Sequence, residues 1–141
     1  MEFATKGDMI DRFGEQELIQ LTDRSNPRAD VVGEAVLAGA LGDANEEVAA
    51  SVGAKYSLPL AAIPAVLVRV ACDLARYFLY DVKAPEEVRN RAQDARALLK
   101  AIAAGTASLG LDTASQPSTQ DIPSVQPGNV RTWDHDSLED Y

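Results

Sequence analysis

Catalysis by side chains needs a nucleophile with a base beside it, a matched acid–base pair, or a metal or cofactor cradle. This chain has one histidine, His135, and one cysteine, Cys72. Counting alone therefore excludes a metal site of the Cys/His type. A lone cysteine forms no internal disulfide, and with no signal peptide in view it points to a reducing compartment. No glycine-rich phosphate loop of the mononucleotide or dinucleotide type is present. Glu46-Glu47 and Glu86-Glu87 are neighbouring carboxylates, but adjacent positions on a helix point apart. Arg69, Asp73 and Arg76 stand four and three residues apart, the spacing of a structural ion-pair network. The sequence thus reads as non-enzymatic, with no cofactor and no metal.

Charge narrows the function classes further. The net charge over 141 residues is −9. Residues 1–104 carry 16 acidic and 12 basic side chains, and residues 105–141 carry six and one. No basic patch rises above this background, so sequence-specific binding of nucleic acid is disfavoured.

The elements that would position these side chains are helical. From Ile63 to Tyr80 the chain is its most apolar. Pro64 suits a first helical turn. Val66, Leu67, Val70, Ala71, Leu74, Tyr77 and Phe78 then recur at the steps of one helical face. Three charges interrupt the run, which argues against a membrane span. This segment is expected to be the central helix, over 65–81, with Cys72 buried on it as a small hydrophobe.

Other helices are expected at 6–13, 15–22, 31–55 and 86–104. Thr5 with Asp8 forms a box-like N-terminal cap. Gly14 separates the first two helices, and Glu15 and Glu17 favour the start of the second. Asp30 is the expected N-cap of the long helix. Its stripe is Val32, Val36, Leu37, Leu41, Ala44, Val48 and Val52. Glycines at 33, 39, 42 and 53 weaken it, and a kink or split is expected near Gly39 to Asp43. Pro59 and Pro64 interrupt the next stretch, where Leu58, Leu60 and Ile63 make an unusually apolar connection. Pro85, Glu86 and Glu87 open the last helix, and Gly105 closes it. Arg89, Arg96 and Lys100 share that helix's outer face, as a solvated face or as contacts for an acidic partner surface.

The fold class is therefore all-α: a bundle of about five helices over 1–105, followed by an extended arm over 106–141. The expected core is Phe13, Leu18, Leu41, Val48, Val66, Leu67, Val70, Leu74, Phe78, Leu98 and Ile102. The arm is rich in Ser, Thr, Gln, Asp and Pro, with too little apolar surface to order itself. It nevertheless ends in Trp133, Leu138 and Tyr141. A polar tether ending in large apolar groups fits a peptide that docks elsewhere, the alternative being that it folds back onto its own domain. Leu58, Leu60 and Ile63 must pack either on the core or on a partner, and Leu58 and Leu60 are therefore candidate partner-binding residues as well.

Five stretches in register resemble a known family. They are Phe3-Ala4-Thr5 with Asp8 to Gly14, Glu17 to Asp23, Tyr56 to Leu60, Ala71 to Tyr80, and Ala101 to Gly105 with Leu109-Gly110. Together they are similar to the Mu-like phage head-completion proteins, also called neck or head–tail adaptor proteins. The resemblance implies a twelvefold homo-oligomeric ring beneath the portal protein, joined to the next neck or tail component. It implies a virion protein, made in the bacterial host cytoplasm, that extends the channel for genomic DNA and performs no catalysis. Such a channel should not hold DNA, since carboxylates repel phosphates. Glu34, Asp43, Glu46 and Glu47 are the candidate lumen acids. From another class, a small helical regulatory or scaffold protein that recruits a partner through its C-terminal peptide would share this organisation.

Overall fold

The computed structural model describes residues 1–111. Five α-helices follow in order: α1 (Lys6–Phe13), α2 (Glu15–Thr22), α3 (Glu34–Gly53), α4 (Ala65–Tyr80) and α5 (Glu86–Ala104). A single 3₁₀ turn, Asp81–Lys83, follows α4, and no strand occurs among the described residues. The class is all-α.

Local chemistry accounts for most of the helix ends. The Thr5 and Asp8 side chains form a full capping box at α1. That arrangement satisfies two of the helix's orphan donors. Gly105 closes α5 in the left-handed conformation, at φ 79°. Thr106 N–H then donates back to the Ala101 carbonyl at 2.9 Å. Pro64 and Pro85 each stand one position before their helix, as N-cap residues.

The start of α3 departs from expectation. Asp30 does not cap the helix. Its backbone is left-handed, at φ 54°, and its N–H donates to the Asp23 carboxylate at 2.9 Å. The Asp23 carboxylate also accepts from Ser25 N–H at 3.0 Å, organising the loop instead. These bonds hold its pKa below the ordinary carboxylate value. The helix begins after Gly33, whose N–H donates to Thr22 Oγ1 at 2.8 Å. A Cβ at Gly33 would lie 2.3 Å from the Thr22 carbonyl oxygen, so only glycine permits this approach.

α3 also runs unbroken through its glycines. Gly39 and Gly42 face outward, with nothing within 4 Å of where a Cβ would stand. Leu37, Ala40, Leu41, Ala44, Val48 and Val52 are buried on its inner face. Tertiary packing of that face overrides the weak propensity.

α4 lies against both α3 and α5, which also touch each other. Leu67, Val70, Ala71, Cys72, Leu74 and Ala75 of α4 are wholly buried. Leu18, Leu41, Val48 and Ile102 are buried with them, as expected. Phe13, Val66, Phe78 and Leu98 are only partly buried, at the edge of the cluster. The two aromatics are roofed by arginines: Arg76 lies 4.5 Å from the Phe13 ring centroid and Arg96 lies 5.8 Å from that of Phe78. Phe3, Ala4 and Tyr56 enter the core unforeseen, and Leu60 takes the core rather than a partner.

The folded body continues past Gly105. Ala107, Leu109 and Leu111 pack on the core, and Leu109 N–H donates to the Tyr56 hydroxyl at 3.1 Å. The first residues of the expected arm thus touch the folded body, and residues 112–141 of it lie outside the described residues.

Candidate interaction surface

The ionic arrangement on α4 differs from the one its spacing suggests. Arg76 turns away from Asp73 and reaches α2, where its Nη2 lies 2.7 Å from Glu17 Oε1. Tyr80 Oη donates to the same carboxylate oxygen at 2.9 Å. Burial, then the bond to Glu17, raises the Tyr80 pKa. Asp73 instead faces α5, with Arg91 at 3.8 Å. Burial raises its pKa, opposed by the Arg91 and Arg69 guanidiniums. Arg69, Asp73, Arg91 and Asp94 line a small cleft of about 60 Å³. The expected trio is therefore divided between two neighbouring helices, because both arginine and aspartate find partners across the fold. Cys72 is buried, and burial pushes its thiol up to about 11. A thiol so placed stays protonated at neutral pH and is a poor nucleophile.

Asn45, on α3, matches none of the sequence patterns above. Its Oδ1 accepts from Phe3 N–H at 2.9 Å and Ala4 N–H at 3.0 Å, and its Nδ2 donates to the Ala4 carbonyl at 3.2 Å. One buried amide thus replaces a backbone partner for the N-terminal segment. The only available signal was a polar residue on the helix's apolar stripe, next to Ala44 and Val48.

Two unlike surfaces result. On α3, no lysine or arginine accompanies Glu34, Asp43, Glu46 and Glu47. Ala35, Ala38, Gly39 and Gly42 leave the outward side smooth and exposed. An open groove of about 460 Å³ runs along it, with Met1, Lys6, Glu34, Leu37, Leu41 and Glu46 among its walls. The four candidate lumen acids are not equivalent. Glu34 pairs with Lys6, and Glu47 pairs with Arg96 Nε at 2.7 Å. Asp43 and Glu46 are exposed without an ion-pair partner among the described residues.

The second surface lies on α5 and meets the first where Arg96 pairs with Glu47. Arg89, Gln93, Arg96 and Lys100 are exposed there in one helical stripe. Arg96 is the residue with an acidic partner, and that partner is Glu47 of its own chain. The bond to Glu47 raises the Arg96 pKa further. Its guanidinium lies 5.4 Å from the Tyr77 ring centroid. Tyr77, Arg89, Ala92, Gln93 and Arg96 line a cleft of about 80 Å³.

Of the expected partner-binding leucines, Leu60 belongs to the core and Leu58 stays at the surface. Leu60 is drawn inward beside the N-terminus, its N–H directed to Met1 Sδ at 3.3 Å. Trp133, Leu138 and Tyr141 lie outside the described residues.

Comparison with known proteins matches nearly the whole chain. The sequence matches the family described as Bacteriophage Mu, Gp36 over residues 3–126. It is 36% identical over 139 residues to the Mu-like prophage FluMu protein gp36 of Haemophilus influenzae, covering 99% of this chain and 97% of that one. It is 28% identical over 128 residues to Gene product J of Escherichia phage Mu, covering 89% and 90%. A helical body without a membrane-spanning helix among its described residues, matched from residue 3 to beyond its last described one, belongs to the bacteriophage Mu Gp36 family of phage proteins.

Proposed function

We propose that this protein is a head–tail adaptor: a homo-oligomeric ring that docks beneath the portal, lengthens the DNA channel and presents its far side to the next neck or tail component. The observation that carries the reading is the outward face of α3. It is smooth, acidic and without a single cation of its own. A DNA channel needs such a wall, because phosphates are repelled by carboxylates and retained by lysine and arginine. Asp43 and Glu46 are the acids that face the lumen, since Glu34 and Glu47 are already neutralised by Lys6 and Arg96. The resemblance to neck proteins seen in the five sequence stretches points the same way, and no catalytic step is assigned.

The test is to mix the protein with its phage's portal and image the complex. A ring coaxial with the portal, with α3 toward the lumen and acids outnumbering bases there, is the expected result. A mainly basic lumen, or no binding to portal at any concentration, overturns the reading. Asp43→Lys with Glu46→Lys should leave the melting temperature unchanged and lower the yield of infectious particles. Unchanged yield would remove α3 from the channel.

A further inference from the structure

The α5 stripe is cationic in a chain that is otherwise acidic. Residues 1–64 carry five basic and eleven acidic side chains, whereas residues 65–104 carry seven and five. Within that basic part, Arg89 and Lys100 are exposed and have no ion-pair partner among the described residues. Between them stand Gln93 and Arg96, beside the small cleft walled by Tyr77 and Ala92. This is a mixed surface, with a partly buried aromatic, an alanine floor and guanidinium groups at the rim. It suits an acidic peptide that carries an apolar or aromatic group.

The chain supplies such a peptide. Residues 131–141 hold Asp134, Asp136, Glu139 and Asp140 against one cation, Arg131, together with Trp133, Leu138 and Tyr141. Spacing agrees as well as sign. Arg89 and Lys100 are eleven residues apart on one helix, about 16 Å at 1.5 Å per residue. The pair Asp134 and Asp136 and the pair Glu139 and Asp140 would be about 15 Å apart in an extended segment, at 3.3 Å per residue. The intervening chain, residues 112–130, spans up to about 60 Å at the same rise, ample to return to the helix it has just left. Tethering gives the segment an effective concentration on the order of millimolar, enough to hold a weak contact.

We infer that in the lone subunit the segment 131–141 docks on its own α5 stripe, its acidic pairs on Arg89 and Lys100 and an apolar side chain at the Tyr77 cleft. The contact belongs to the single chain and does not require the ring, so it stands or falls apart from the adaptor reading. If the arm also tethers neighbours in a ring, it must first leave this stripe.

Trp133 is the only tryptophan, so the fluorescence of the full chain reports on the segment alone. In dilute solution, where sizing shows a monomer, its emission should lie at shorter wavelength than that of the isolated peptide 128–141. It should also resist acrylamide. Arg89→Glu with Lys100→Glu should move both readings to the peptide's values, as should high salt. Adding Asp134→Lys and Asp136→Lys to that pair should restore protection. The arm changes alone, which lie outside the described helices, should abolish it without altering the helical melt. Peptide-like emission from the unaltered monomer overturns the inference. So does protection that appears only as the chains associate, or protection that survives charge reversal on either side.

Discussion

Between α4 and its neighbours α3 and α5 the buried groups are almost all apolar, among them Leu67, Val70 and Leu74 from α4, Val48 and Val52 from α3, and Leu99 and Ile102 from α5. Between this body and the N-terminal region, polar side chains make many of the decisive contacts. Asn45 holds Phe3 and Ala4, Thr22 ties α2 to the start of α3, and Glu17 takes Arg76 and Tyr80. α1 and α2 have eight residues each, too few to persist unaided in water. Met9 and Leu18 are fully buried there as well. The difference teaches that one part of this fold rests almost wholly on area, which tolerates gradual change, and the other on area together with a few directional bonds, which do not.

Breaking the apolar part should have the largest effect. Leu74 is fully buried, so Leu74→Ala should cost about 2–5 kcal/mol and lower the whole helical melt in one step. A loss under about 1 kcal/mol by denaturant titration would remove Leu74 from the core. Asn45→Ala attacks the polar part. It leaves the Phe3 and Ala4 amides without their partner, a cost of about 1–3 kcal/mol. Hydrogen exchange should speed up at Phe3 and Ala4 while the α4 and α5 amides keep their protection. Equal acceleration everywhere would show that the two regions unfold as one.

Glu17→Gln should cost about 1–3 kcal/mol, because Arg76 would keep its charge at a largely buried position. The mark of this variant is a loss confined to α1 and α2 in the same exchange experiment. If the loss spreads to α4, the Glu17 bond supports the body as well.

The smallest effect is at Asp73. Its folded pKa is raised by burial. Between the unfolded value near 3.8 and that raised value, the folded chain holds a proton the unfolded chain has released. Stability is therefore fully present below the unfolded pKa and declines as pH rises through the folded one. Against Asp73→Asn, the unaltered protein should lose ground over that window and run parallel above it. A difference that grows in the opposite direction would mean that Arg91 and Arg69 outweigh burial.

Periodicity and caps determined much of this from the sequence alone. The five helices, the Thr5–Asp8 cap, the Gly105 terminus and the burial of Leu67, Val70, Ala71 and Leu74 on α4 all follow from local rules, which act over one or two turns and leave a regular mark in the sequence. Tertiary structure alone decided who pairs with whom. Arg69, Asp73 and Arg76 have ideal spacing for one another, yet two of them bond to other helices, because a guanidinium on a flexible stem goes to whichever carboxylate the fold brings near. Asp30 looked like a cap until Asp23 took its N–H and Thr22 drew Gly33 close. Leu60 suited core or partner alike until its N–H met Met1 at the N-terminus. Asn45 looked like an ordinary helix residue. In each case the deciding partner lies in another element or along the same loop, so its identity is fixed by packing and leaves no periodic mark in the chain.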